Sequence, residues 1–259
     1  MSAVAAQLLD MAGGWAWLGW VVFLRVAAAM ALLPAFGSQS VPLRVRLALA
    51  CAFAAVVAPA VADRVVLLPP DWPALLRYTA TETLAGLSLG FSARLLLWLL
   101  HVAGTMAAQA TSLAQLLGGA TAEPQPAIAE ILVVAGLALA AAAGLHIRVA
   151  QAFILSYDTM PAGTVPLAAD LSSWAVGRVA AMFATAFTYA APFLIASLIY
   201  NLALGAINRA MPQLMVAFVG APAITAAGLV ILLVSAPVIL SLWLGLIDLR
   251  LADPFGMGP

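Results

Sequence analysis

From Ala210 to Ile247 the chain runs 38 residues without a charged side chain, and Val179 to Ala206 has already done so once. No other feature constrains the fold as strongly. Soluble domains carry about 25% charged residues, whereas this chain of 259 residues has 8% charged and 66% hydrophobic residues and a mean hydropathy of +1.13. A water-soluble fold has too little polar surface to cover that much apolar area. Inside a bilayer every backbone polar group has to be satisfied within the segment or within a closed barrel, and apolar runs of this length point to helices. As one helix the last run spans about 57 Å at about 1.5 Å per residue, against a hydrocarbon core of about 30 Å. It is too long for one upright span and too short for two with a turn. Two readings stay open: a kinked, strongly tilted helix, or a hairpin of two short helices, with Gly220, Pro222 and Pro237 as break points.

The other segments are measured against a span of about 20 apolar residues. Trp15 to Leu33 qualifies despite Arg25 inside it. Leu47 to Val61 is shorter and follows the basic turn of Pro42, Arg44 and Arg46; Leu84 to Leu100 holds Arg94, and Ile131 to Leu145 is short and Ala-rich. The expectation is an all-α, polytopic integral membrane protein with about six hydrophobic segments, some broken or re-entrant. Residues 1–259 are read as a single membrane-embedded domain. The opening MSAVAAQLLD has no basic n-region, so no removable signal peptide is expected.

Charge adds exclusions. Net charge is zero, which removes the electrostatic basis for nucleic-acid binding. All ten basic residues are Arg, a choice that suits bidentate or stacked contacts, although GC-rich codon usage is the plainer explanation. The loops on one side hold Arg44, Arg46 and Arg209, those on the other Arg64, Arg77, Arg148, Arg178 and Arg250. That division does not orient the protein by the positive-inside rule.

Catalytic chemistry has little support. Cys51 is a lone cysteine, and His101 and His146 lie far apart with no HExxH and no GxSxG anywhere. Tyr157-Asp158 matches one half of an intramembrane aspartyl protease signature, but the second carboxylate that such chemistry requires is missing. No enzyme activity, metal or cofactor is expected.

Charges inside apolar segments are costly and point to function or to a buried partner. Arg25, Glu82 and Arg94 are the candidates, and Arg25, mid-segment, calls for a buried partner because snorkelling is harder there. The most distinctive connection is Leu116, Leu117, Gly118, Gly119, Ala120, Thr121, Ala122, Glu123, Pro124, Gln125 and Pro126. Two glycines relax its backbone and two prolines stiffen its exit. It reads either as a re-entrant gate lining a water-filled path or as an ordinary exposed loop.

Three stretches together carry a family resemblance. The first is Arg25, Pro34, Val41-Pro42, Arg44, Arg46-Leu47 and Pro59. The second is Gly144, His146, Ser156 and Pro161-Ala162-Gly163. The third is Pro192, then Asn201-Leu202-Ala203-Leu204-Gly205, Asn208-Arg209 and Pro212-Gln213-Leu214. Over nearly its whole length the chain resembles the FliR family, export-gate subunits of flagellar and virulence-associated type III secretion. Leu145 stands between the glycine and histidine that the family has adjacent, and Glu123-Pro124 replaces its usual Asp-Pro.

The resemblance implies a structural and gating subunit of a protein export channel in the bacterial inner membrane, within a flagellar basal body or a type III secretion base. It implies assembly with FliP-like and FliQ-like subunits and contact with FlhB-like and FlhA-like components. Unfolded proteins would be the passengers and membrane lipid the surroundings. The loop from Leu116 to Pro126 would then be the plug of the closed channel. The main rival is a secondary transporter of a small solute, which requires a midplane charge pair and a solute dependence.

Overall fold

The computed structural model describes residues 3–37, 41–112, 127–211 and 216–256. Among these the regular elements are helices: α1 (Ala3–Met30), α2 (Leu43–Val61), α3 (Trp72–Ser112), α4 (Ala127–Ala142), α5 (Leu145–Thr159), α6 (Ala168–Ala210) and α7 (Val216–Ala252). Five are long and apolar enough to cross a membrane, and the broken pair α4 and α5 makes a sixth if taken together. A polytopic all-α membrane protein is what the apolar runs predict.

The helices are longer than the apolar runs suggest. Arg77, Arg148, Arg178 and Arg250, assigned to loops by hydropathy, lie inside α3, α5, α6 and α7. Apolarity marks where lipid or protein surrounds a helix and does not mark where its hydrogen bonds stop. From Val216 onward the last charge-free run is one helix, continuous through Pro222 and Pro237. Helix-breaking residues are tolerated at membrane depth where neighbours re-satisfy the freed backbone groups. Local signals set the starts: Asp71 caps α3 by accepting the Ala74 amide at 2.8 Å, and Pro73 follows in the first turn. Gly144, with φ of 81°, separates α4 from α5.

Two compact units are distinguished. One comprises Met1–Leu95, Ala143–Arg178 and Ile247–Pro259, the other Leu96–Ala142 and Val179–Leu246. In the first, α2 buries Ala50, Ala54, Val57, Ala58 and Val61, and α5 buries Val149, Ala152, Phe153, Ser156 and Tyr157. Each set follows the three-and-four spacing of one helix face. Edge-to-face contacts at 6.0 Å run from Phe36 to Phe53 and from Phe53 to Phe153.

Also in this unit, Gly86 and Gly90 of α3 let the backbone of α1 approach. A methyl group at Gly86 would overlap the Arg25 carbonyl and the Ala28 side chain, and one at Gly90 would lie 2.6 Å from the Ala29 carbonyl oxygen. Four-residue spacing of small residues is the usual device for close helix crossing in lipid.

The second unit gathers Ala107, Ala110, Leu132, Phe193 and Leu232. The Trp243 indole donates to the Leu96 carbonyl at 2.7 Å, and its ring lies against Gly136. Surface character separates the helices. The most apolar window of α3 is 61% buried, whereas those of α6 and α7 are 17% and 22% buried. Most of the apolar surface of α6 and α7 therefore faces outward.

Candidate functional site

Arg25 and Glu82 form a buried ion pair at 2.8 Å, their side chains 1% and 0% exposed. A charge so placed in an apolar helix is stable only when its donors are matched, and Arg25 is matched on each side. Its Nε donates to Glu82 Oε2, one terminal nitrogen donates to Ser156 Oγ at 3.0 Å, and the other donates to the Met160 carbonyl at 2.8 Å. The guanidinium lies over the Tyr157 ring, 3.7 Å from its centroid.

The second carboxylate oxygen of Glu82 accepts the Gly163 amide at 3.0 Å. Gly163 is the keystone of the turn after α5. Its φ is 71°, a methyl group there would lie 2.9 Å from the Tyr78 ring, and its carbonyl accepts Arg77 Nε at 2.6 Å. Tyr78 in turn holds the Leu68 amide at 3.0 Å and meets Trp17 edge-on at 5.9 Å. Arg25 of α1, Glu82 of α3, Ser156 of α5 and the 160–163 turn are thus locked to one another. Each nitrogen of Arg25 has an acceptor and both Glu82 oxygens accept, so the cluster ties α1, α3 and the end of α5 together.

The residues singled out from sequence distribute unevenly. Arg25 and Gly163 are inside the cluster, with Pro161 exposed beside it. Pro34 is buried in the turn after α1; Pro42 stands at the N-cap of α2; Arg44 is exposed; Arg46 donates to the Val41 carbonyl at 3.1 Å. His146 is exposed in the first turn of α5, and Arg94 is half-buried.

Asn201, Gly205, Asn208 and Arg209 line the exposed end of α6, where Asn201 Nδ2 donates to Ser197 Oγ at 3.3 Å. The loop from Leu116 to Pro126 lies outside the described residues, as do Pro212 and Gln213. The Tyr157-Asp158 dipeptide is structural: the ring backs Arg25, and Asp158 pairs with Arg64 at 2.7 Å on the surface. The Gly86 and Gly90 crossing was missed from sequence, although their GxxxG spacing was there to be read.

Together the fold and this cluster define a polytopic helical membrane protein, stapled internally by a buried ion pair and presenting polar side chains outward from an apolar helix. Residues 16–249 match the model of bacterial export proteins, family 1. The chain is 33% identical over 225 residues to the flagellar biosynthetic protein FliR of Caulobacter vibrioides, covering 86% of this chain and 90% of that one. Identity to the FliR of Escherichia coli is 26% over 231 residues (86% and 87%), and to that of Bacillus subtilis 27% over 224 residues (85% and 86%). The chain belongs to bacterial export proteins family 1, the FliR family of flagellar export subunits.

Proposed function

We propose that the chain is a structural and gating subunit of the type III export channel, assembling with FliP-like and FliQ-like subunits in the inner membrane and passing unfolded flagellar proteins. FlhB-like and FlhA-like components are its further contacts, and it performs no covalent chemistry. One observation carries the assembly reading: the polar end of α6 is exposed. Asn201, Gly205 and Asn208 follow i, i+4, i+7 spacing and share a face, with Arg209 beside them. Lipid is a poor environment for two amides and a guanidinium, so protein helices are the fitting cover.

The test is co-purification from mild detergent with FliP-like and FliQ-like subunits, paired with motility and secretion assays on a deletion strain. A stable lone chain that transports a small solute after reconstitution would refute it. Within that test Arg209→Ala lowers the yield of assembled complex at least about tenfold, since truncating a buried interfacial charge costs about 2–5 kcal/mol. Normal complex yield with selective loss of some exported substrates would show that Arg209 reads substrates instead.

The gating part rests on the loop sequence. Glycine at 118 and 119 is the residue type least restricted in its backbone and proline at 124 and 126 the most restricted, a composition that suits a segment which blocks a pore at rest and swings aside. Deleting Gly118 to Glu123 leaves assembly intact and makes the resting gate leak ions, measured as membrane conductance with gate abundance followed in parallel. An assembled deletion gate that stays tight places the seal in partner side chains.

A further inference from the structure

Within the first unit, the early part of α6 carries a buried cation whose hydrogen bonds are only half used. Arg178 is 7% exposed, and among the described residues no carboxylate pairs with it. One terminal nitrogen donates to the Pro254 carbonyl at 3.3 Å and to the Gly256 carbonyl at 2.7 Å, which ties the segment after α7 to α6. The other, Nη1, meets no acceptor among the described residues. One turn earlier Trp174, also 7% exposed, has an indole N–H in the same condition. The two residues share a face of α6, and the guanidinium carbon lies 5.6 Å from the centre of the Trp174 ring. Solvent reaches neither nitrogen, and the Phe91 and Phe255 rings pack on Trp174 at 6.5 and 5.7 Å. Asp253, the acid of that segment, uses a carboxylate oxygen to accept the Gly256 amide at 2.8 Å.

We propose that Arg178 Nη1 and Trp174 Nε1 together bind a small monovalent anion of the halide type. A guanidinium stays charged in proteins and, like an indole, donates without accepting. Burying a charge is costly unless it is paired, and burying a donor is costly unless it is met. Both deficits call for one occupant that is negatively charged and accepts from two N–H groups. Water accepts from both and leaves the charge uncompensated. A phosphate or sulfate brings four oxygens to two donors, and the surplus oxygens would be buried without partners. A lipid headgroup or a partner's side chain is too large for a place that solvent does not reach. The ion neutralises Arg178 and so steadies its grip on the Pro254 and Gly256 carbonyls, holding the end of α7 to α6. The inference needs only this local fold and is independent of the gating role.

The test uses the full-length chain in mild detergent, with chloride exchanged for gluconate at constant ionic strength. Chlorine magnetic-resonance line width reports binding directly, and bromide competes for it. With chloride about 100-fold above its dissociation constant, the melting temperature is about 5 °C higher than in gluconate, the shift given by a ligand that binds only the folded state. Trp174→Phe keeps the ring packing and removes one donor. It weakens chloride binding about tenfold, the loss of one hydrogen bond to a charged group, and leaves melting in gluconate unchanged. Arg178→Lys keeps a cation and part of the chloride response, whereas Arg178→Gln abolishes the response. Arg64→Gln, which breaks a surface pair elsewhere, leaves it intact. If the Arg178 variants fail to fold, Trp174→Phe decides. Equal melting in the two salts with no line broadening in the unmodified chain overturns the proposal and makes water the partner of both donors. A chloride response undiminished in Trp174→Phe overturns it as well, because the ion then binds elsewhere.

Discussion

Arg25→Met is expected to cost about 3–5 kcal/mol of stability, the cost of leaving a buried charge without its partner, and to reduce accumulation of the protein in membranes to a small fraction. Glu82 would keep the Gly163 amide but lose its counter-ion while remaining fully buried. Glu82→Gln is milder in the same direction, because an amide oxygen still accepts from Gly163 and Arg25 keeps Ser156, the Met160 carbonyl and the Tyr157 ring. The double variant Arg25→Met, Glu82→Leu recovers much of the loss, since well-packed apolar residues often replace a buried pair without penalty. Denaturation in mild detergent, run as a double-mutant cycle, gives the coupling. Single effects that simply add would mean the two charges are independently solvated and that no lock exists.

The second large effect is steric. Gly86→Leu is expected to force α1 off α3, since even a methyl group at that position overlaps the Arg25 carbonyl and the Ala28 side chain. Displacing the Arg25 backbone also draws its guanidinium from Glu82, so loss of close packing and loss of the ion pair arrive together. Gly86→Ala, the smallest step, costs about 1–3 kcal/mol by overpacking, and Gly90→Ala behaves alike because of the Ala29 carbonyl. Gly177→Ala is the control. Nothing lies within 4 Å of a methyl group there, and helix propensity favours Ala over Gly by about 1 kcal/mol. Thermal denaturation of the purified chain separates the cases: a melting point for Gly86→Ala equal to that of Gly177→Ala would show that the two helices do not cross at Gly86.

How far the sequence could be read depends on what each residue's environment leaves visible locally. A charge within an apolar run is visible, so Arg25 and Glu82 stood out and Arg25 called for a buried partner. Their mutual pairing was not visible, because they are 57 positions apart and no local periodicity links them. Gly163 and Ser156 stood out only as parts of a family pattern. Their work, one holding the carboxylate from a left-handed backbone position and the other accepting from Arg25, exists only after α1, α3 and α5 are assembled. Helix ends were misjudged at Arg77, Arg148, Arg178 and Arg250, since hydropathy reports surroundings and a helix with satisfied hydrogen bonds continues past them. Pro222 and Pro237 left a kinked helix and a hairpin both open, and the structure takes the helix. The close approach at Gly86 and Gly90 was legible in their spacing and was overlooked among abundant alanines.

The reach of the Arg25 cluster along the chain also bears on how the protein is made. Arg25 leaves the ribosome 57 residues ahead of Glu82 and 131 ahead of Ser156, so α1 is offered to the insertion machinery with a charge whose partners do not yet exist. A lone Arg at the centre of an apolar helix opposes insertion by about 2.5–3.5 kcal/mol on biological scales. During synthesis α1 is therefore an unfinished membrane element. Its charge is matched only once α3 has supplied the carboxylate and the turn after α5 has closed over it, so the final seating of the first helix is expected to be a late event in the birth of the chain.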